Sequence, residues 1–551
     1  MTTAIDVGIA ALIIGATVVI ARLLAPYITK TFTREHTRWD NVFSPIENSI
    51  YRILGVDTSH VMGWREYFLS GLLLNIVQMA IAFLILYFQG DLPLNPQGFP
   101  GMSWDLAFNT VVSFATNTNL QHYAGESTLS YFSQMTAIQF LQFTSAATGI
   151  CMGIAMVRGF VAGSKDMGNF YVDFVRSLTR ILLPLCIIAA VVLVGMGVPQ
   201  TLSGYTTVTT VEGASQTILV GPVASLVSIM QLGTNGGGYY GANSAYPFQN
   251  PSAISDAFQI ALMLLLPTAL IFVFGELIKK KREARPILYG AYMLFGIDLA
   301  LGFIPSTPLG AGIETRIGGF FSAFWTVVTT AVTTGSVNAA LGAMHPLTIL
   351  AAFMGMLIQS TPGGKGVGLM YMIMYIVITV FIVGLMTGRT PEYLGIKITG
   401  RDVKLVMVAF LIHPLIILVP TVLAYATGAA AAIGVGSGPV GFTEILYEFT
   451  SSAANNGSDF LGAAANTPFF NISTAIVIFV GRYVPIAVLL ALAGSMIGRK
   501  RSNEVGLKTD SLLFSVILVG SILILVVLTF FPFLALGPLL ALFQGMRSFT
   551  G

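Results

Sequence analysis

Four short polar stretches punctuate this sequence of 551 residues: TNTN at 116–119, TNGG at 234–237, TTGS at 333–336 and NNGS at 455–458. They contain no titratable group. What they can offer is backbone carbonyls, because Gly takes φ > 0 without steric penalty and lets successive carbonyls turn toward one line. Thr and Asn side chains can hydrogen-bond behind such a turn. Four of these stretches around one axis would give rings of oxygens able to replace the hydration shell of a monovalent cation. The candidate ligands are Thr116, Asn117, Thr118 and Asn119, then Thr234, Asn235, Gly236 and Gly237, then Thr333, Thr334, Gly335 and Ser336, and finally Asn455, Asn456, Gly457 and Ser458. Aligned as strings, the first has Thr118 where the others have Gly236, Gly335 and Gly457, so the ring is only roughly four-fold.

Two cationic residues lie inside apolar runs, Lys365 in STPGGKGVG (360–368) and Arg482 in FVGRYVP. A charge at mid-bilayer costs on the order of 2.5–3.5 kcal/mol on insertion scales. Such residues pair with a partner or face a cavity, and Asp298 is a candidate partner. The functional reading is a positive barrier on the inner side of the filter, built from Gly363, Gly364, Lys365, Gly366 and Arg482. GGKG does not make a nucleotide site, since G-x-x-x-x-G-K-[ST] needs Ser or Thr after the Lys and Gly366 stands there. No aspartyl-phosphate DKTG motif occurs either, so ATP hydrolysis is not expected in this chain. The five His are scattered and the two Cys lack metal spacing, so no cofactor is expected.

The elements that must hold these residues are membrane helices. The chain is 55% hydrophobic and 9% charged, with mean hydropathy +0.81. Apolar runs of about 20 residues, enough to cross a bilayer as a helix, recur throughout. They predict an all-α polytopic protein with ten spans: 5–27, 67–89, 131–157, 177–198, 253–278, 286–305, 346–388, 403–427, 470–498 and 511–535. The seventh is about twice the length a span needs, and STPGGKGVG interrupts it. It reads as two half-helices joined by irregular backbone, which is tolerated only where protein buries it or it lines a cavity. Five loops, 30–65, 158–180, 279–285, 389–404 and 499–508, hold 22 of the 27 Lys and Arg. The positive-inside rule makes them cytoplasmic, so both termini lie outside. A net charge of +3 gives no reason to expect a nucleic-acid partner.

Each polar stretch follows an apolar segment too short to span, at 103–115, 221–233, 318–332 and 441–454. A span precedes each unit and another follows it. The chain therefore divides into an N-terminal span and loop (1–66), four pseudo-repeats of span, pore helix, filter and span (67–157, 177–278, 286–388 with the broken span, 403–498), and a C-terminal span (511–551). All four filters fall on the outer side, each at the negative end of a short helix dipole.

TNTNLQ (116–121), TNGGG (234–238), TTGSVN (333–338) and NNGSDF (455–460), with the extra first and last spans and the STPGGKG break, resemble the potassium-transporter superfamily. Within it they resemble the potassium-binding A subunits of bacterial Kdp-type ATP-driven pumps, over the whole chain. The resemblance implies potassium as substrate and uptake across the bacterial inner membrane. It implies a P-type ATPase (the B subunit) and the small membrane C and F subunits as partners. It also places Gln121 beside the filter, and the barrier would then turn potassium sideways toward the ATPase. The alternative is a passive Trk- or Ktr-like potassium or sodium transporter, against which the two extra terminal spans stand.

Overall fold

The computed structural model describes residues 4–305, 310–501 and 508–549. Residues 502–507 of the fifth basic loop, and the outermost residues of the first and last segments, lie outside the described residues. Among the described residues, ten helices are long and apolar enough to cross a membrane: Ala4–Thr33, Trp64–Tyr87, Tyr131–Gly159, Phe170–Gly195, Ala253–Leu277, Lys281–Phe303, Val367–Met386, Gly400–Ala426, Pro468–Met496 and Leu512–Leu536. Four shorter helices precede the polar stretches: Trp104–Ala115, Val223–Leu232, Gly319–Ala331 and Pro439–Ala453. They are called pore helices one to four below. Pro346–Ile358 is the first half of the broken seventh span.

The third span is 89% buried and the first only 17%. An apolar helix shielded by protein sits at the centre, whereas one facing outward needs a lipid surface. The first span packs along the fifth, and the tenth along the sixth. Both terminal spans are therefore peripheral to the loops that hold the polar stretches.

Several expectations shift. The fourth span begins at Phe170 rather than 177, because the Asn169 side chain accepts the Val172 amide and caps it. Asp173 can lie within this helix because Arg158 pairs with it and the Tyr67 hydroxyl donates to it at 2.8 Å. Arg180 is likewise buried against Glu47 at 2.6 Å. Burying a hydrogen-bonded pair avoids the cost of a lone charge, so these arginines are structural rather than solvated loop charges. Glu47 belongs to an unforeseen helix, Asp40–Leu54. An antiparallel hairpin, Thr206–Thr209 with Ser215–Ile218, occupies the loop between the fourth span and the second pore helix.

Candidate functional site

Each pore helix ends in the same way. The backbone amides of Thr118, Asn235, Thr334 and Asn456 reach back five residues to Ser113, Met230, Thr329 and Ser451 O at 2.7–2.9 Å. The preceding residues, Asn117, Thr234, Thr333 and Asn455, all take positive φ, from 43° to 68°. These two markers align the loops and correct the string alignment. In the first loop the register moves by one, so Asn119, not Thr118, corresponds to Gly236, Gly335 and Gly457. Thr116 belongs to the helix end, where its amide donates to Val112 O. Asn119 takes φ 60° where Gly335 and Gly457 take 89° and 105°; Asn is among the few non-Gly residues that tolerate this region.

The loops touch in a closed ring. Asn117 Nδ2 donates to Thr234 O at 2.7 Å. A Cβ on Gly236 would lie 2.7 Å from Thr334 O, one on Gly335 2.0 Å from Asn456 O, and one on Gly457 2.0 Å from Thr118 O. Asn455 Nδ2 closes the ring on Thr118 Oγ1 at 2.9 Å. At the shared level, the carbonyls of Thr118, Asn235, Thr334 and Asn456 accept no hydrogen bond from the described residues. All four residues are fully buried. A buried carbonyl without a donor is costly, and four in one ring suit a desolvated cation.

Around them the loops are tied down. Trp325 Nε1 donates to Ser336 O at 2.9 Å, Gln142 Nε2 to Gly237 O at 2.7 Å, and the Tyr447 hydroxyl bonds Ser458 Oγ at 2.8 Å. Gln121 exchanges two hydrogen bonds with Gly238. Its amide therefore braces the second loop and is not free as a ligand. Asn119, Gly236, Gly335, Gly457 and Gln121 line a common cavity of about 230 Å³.

At the end of the ring opposite this cavity lies the STPGGKGVG segment. The Gly363 amide donates to Ala331 O at the end of the third pore helix, 2.9 Å away. Gly366 and Gly153 approach so closely that a Cβ on Gly153 would be 2.6 Å from Gly366 Cα. Gly149 and Gly153 thus make a notch in the third span for the broken segment. That notch positions Lys365. Its ammonium donates to Asn117 Oδ1 at 2.8 Å, to Thr234 Oγ1 at 3.2 Å and to Gly233 O. Arg482 is close by: a Cβ on Gly149 would be 2.9 Å from its guanidinium and 3.0 Å from Lys365 O. Arg482 makes no hydrogen bond or ion pair among the described residues. Asp298 pairs with neither cation; both its carboxylate oxygens are buried without a partner.

Sequence reading passed over a polar cluster beside the first and fourth loops. Glu448 is fully buried in the fourth pore helix. Its Oε1 lies 3.0 Å from His122 Nε2, and His122 Nδ1 meets Asn471 Oδ1 at 2.7 Å. Burial alone would lower the His122 pKa, but the hydrogen bond and charge of Glu448 hold it above the usual value. Burial and the charge of Glu448 push the Asp459 carboxyl above its usual range. An acid inside a pore-helix segment and a His directly after a filter were the available signals.

Residues 11–543 match the family model described as potassium-transporting ATPase A subunit. The chain is 46% identical over 545 residues to the potassium-transporting ATPase potassium-binding subunit of Alicyclobacillus acidocaldarius subsp. acidocaldarius, covering 96% of this chain and 97% of the relative. It is 43% identical over 551 residues to the protein of the same name from Caldanaerobacter subterraneus subsp. tengcongensis, with the same coverage.

Proposed function

The chain belongs to the potassium-transporting ATPase A-subunit family, and we propose that its ring of pore-helix loops is the filter through which potassium enters the cell. The chain is the potassium-binding, non-catalytic subunit of a multi-subunit ATPase, and a partner subunit hydrolyses ATP. It is a multi-pass membrane protein. This family assignment sets aside the passive Trk- or Ktr-like alternative.

The observation that carries the filter reading is the ring of four unpartnered carbonyls at Thr118, Asn235, Thr334 and Asn456. Thr234, Thr333, Asn455 and Asn117 form the level beneath, and Asn119, Gly236, Gly335 and Gly457 the level above. Gly237, Ser336 and Ser458 anchor the ascending strands, and Thr116 and Gln121 support the first. Lys365, held by the segment that includes Gly363, Gly364 and Gly366, and Arg482 of the ninth span form the inner barrier. The four repeats are 67–157, 177–278, 286–388 and 403–498, flanked by 1–66 and 511–551.

The partners we infer are a P-type ATPase, the B subunit of such pumps, and the small membrane C and F subunits, in the bacterial inner membrane. Mild-detergent purification of the tagged chain from its native membrane should bring down a potassium-stimulated ATPase. Recovery of a chain that neither binds rubidium nor associates with an ATPase would end this reading.

Both termini lie outside in the topology we infer, because the five basic loops fall after the odd-numbered spans and the filter loops after the even-numbered ones. Tags at Lys281 and Lys500 should report the cytoplasm, and a tag at the fully exposed Val211 the outside. A cytoplasmic signal at 211 would invert the pore and exclude import through this filter.

A further inference from the structure

His413 lies on the eighth span, Gly400–Ala426, and is buried. Its Nε2 stands where three elements meet. Gln359 Nε2 is 2.8 Å away, Ala453 O 3.2 Å and the Tyr371 hydroxyl 3.3 Å. Gln359 closes the first half of the broken seventh span, at φ 56°. Tyr371 lies in the first turns of the second half, Val367–Met386, and its ring meets the imidazole edge-on at a centroid distance of 5.5 Å. Ala453 is the last residue of the fourth pore helix. One imidazole thus touches both sides of the break that carries Lys365, and the inner end of a pore helix.

The register of the loops gives an independent reason for that contact. Ala453 stands two residues before Asn455, as Ala331 stands two before Thr333, the positive-φ residues of their loops. Carbonyls at the end of a helix have no intrahelical amide and need another donor. The Gly363 amide serves Ala331 O at 2.9 Å. No backbone amide serves Ala453 O among the described residues. The tautomer with its proton on Nε2 supplies that donor, and the Gln359 carboxamide can meet the same N–H through its oxygen. Gly481, which precedes Arg482, packs on the same carbonyl: a Cβ there would be 2.5 Å from Ala453 O. The contact therefore adjoins the segments that carry both cations of the barrier.

We propose that His413 is the positioning residue of the barrier: its Nε2 clamps Gln359 to Ala453 O, fixes the two halves of the seventh span about the break, and so holds Lys365 against the first and second loops. The proposal rests on the reading of Lys365 as the block beneath the filter. Between Ile358 and Val367 the chain forms no helix, so the shape of the break depends on the ties at its ends and on the notch at Gly153. Irregular backbone at membrane depth persists only where neighbouring protein satisfies it. Losing the tie at Gln359 frees the break to shift, and the Lys365 ammonium shifts with it.

The test uses the assembled complex reconstituted in vesicles. His413→Leu keeps the bulk of the side chain and removes the donor. It should raise ATP-independent rubidium-86 flux about tenfold, the effect of one lost buried hydrogen bond. Half-saturation by potassium and discrimination against sodium should stay as in the unsubstituted protein. His413→Gln carries an amide N–H to nearly the same point and should return the flux most of the way. In a Lys365→Met background, His413→Leu should add little further flux, because residues that act through one another are not additive. Full addition of the two leaks would mark a general loosening and overturn the proposal. Unchanged flux in His413→Leu beside a leaking Lys365→Met would overturn it too, as would equal leaks in His413→Leu and His413→Gln. Failure of the barrier reading looks different: Lys365→Met itself would then not leak. The clamp is decided in that case by acetylation of Lys365 with acetic anhydride, read by mass spectrometry. His413→Leu should raise the labelling several-fold and His413→Gln should not; equal labelling in both variants and the unsubstituted protein would overturn the clamp.

Discussion

Gly457→Ala is expected to lower potassium affinity by roughly a hundredfold or more, from a strain of about 1–3 kcal/mol for an L side chain in this backbone region and the loss of a carbonyl ligand, at 1.4 kcal/mol per tenfold. Gly457 takes φ 105°, and an added Cβ would stand 2.0 Å from Thr118 O. No side chain can move aside to relieve that overlap, because the obstacle is backbone. Thr118 O must turn away, and it is one of the four carbonyls with no protein donor. Gly335→Ala should behave alike, since its Cβ would stand 2.0 Å from Asn456 O at φ 89°. Gly236→Ala should cost less, because Gly236 does not need positive φ and the distance to Thr334 O is 2.7 Å. Gly237→Ala should cost least, because its Cβ would meet the Phe114 ring at 2.5 Å, and a side chain can yield. The readout is half-saturation of potassium-stimulated ATP hydrolysis in the assembled complex, with sodium as competitor. Wild-type affinity and discrimination in Gly457→Ala would remove the carbonyl ring from its assigned role.

That ranking depends on a register the sequence alone concealed. TNTN and TNGG agree in their first two residues, so matching by residue type pairs Thr116 with Thr234. The first pore helix runs one residue further, however, and the amide of Thr116 is spent on Val112 O. Helix ends are set by local capping, which a string comparison does not register. Hydropathy made the ten spans legible, and the Gly-rich 360–368 segment made the break in the seventh legible, because both depend on composition over long windows. Pairings between distant residues were not legible. Asp173 looks too polar for a span until Arg158 is placed against it, and Glu448 looks like a loop acid until His122 is. The helix Asp40–Leu54 and the hairpin at 206–218 were missed because both are short and sit in polar segments.

Neutralising the inner barrier is expected to convert the pump component into a leak. Lys365 places an ammonium against Asn117 Oδ1, Thr234 Oγ1 and Gly233 O, on loops one and two just below the carbonyl ring. A potassium ion descending from the ring meets that charge directly, and the unpaired Arg482 guanidinium reinforces it. A like charge about 5 Å away, at an effective dielectric constant of about 20, opposes the ion by on the order of 3 kcal/mol. Lys365→Met with Arg482→Gln should therefore raise ATP-independent rubidium flux into vesicles by about a hundredfold. Lys365→Met alone should have the larger share, because only Lys365 touches the filter loops. Selectivity should largely survive, since Asn117 Oδ1 keeps Asn235 Nδ2 at 2.8 Å and Ser145 Oγ at 3.1 Å as donors, and the four ring carbonyls do not contact Lys365. Shortening 360–368 should leak as well, but with damage to the third loop, because the Gly363 amide holds Ala331 O. A pump needs this block, since passive backflow would dissipate the gradient that ATP hydrolysis builds. If the double variant inserts correctly, binds rubidium and still shows no passive flux, the seal lies elsewhere and Lys365 serves only to brace the first two loops.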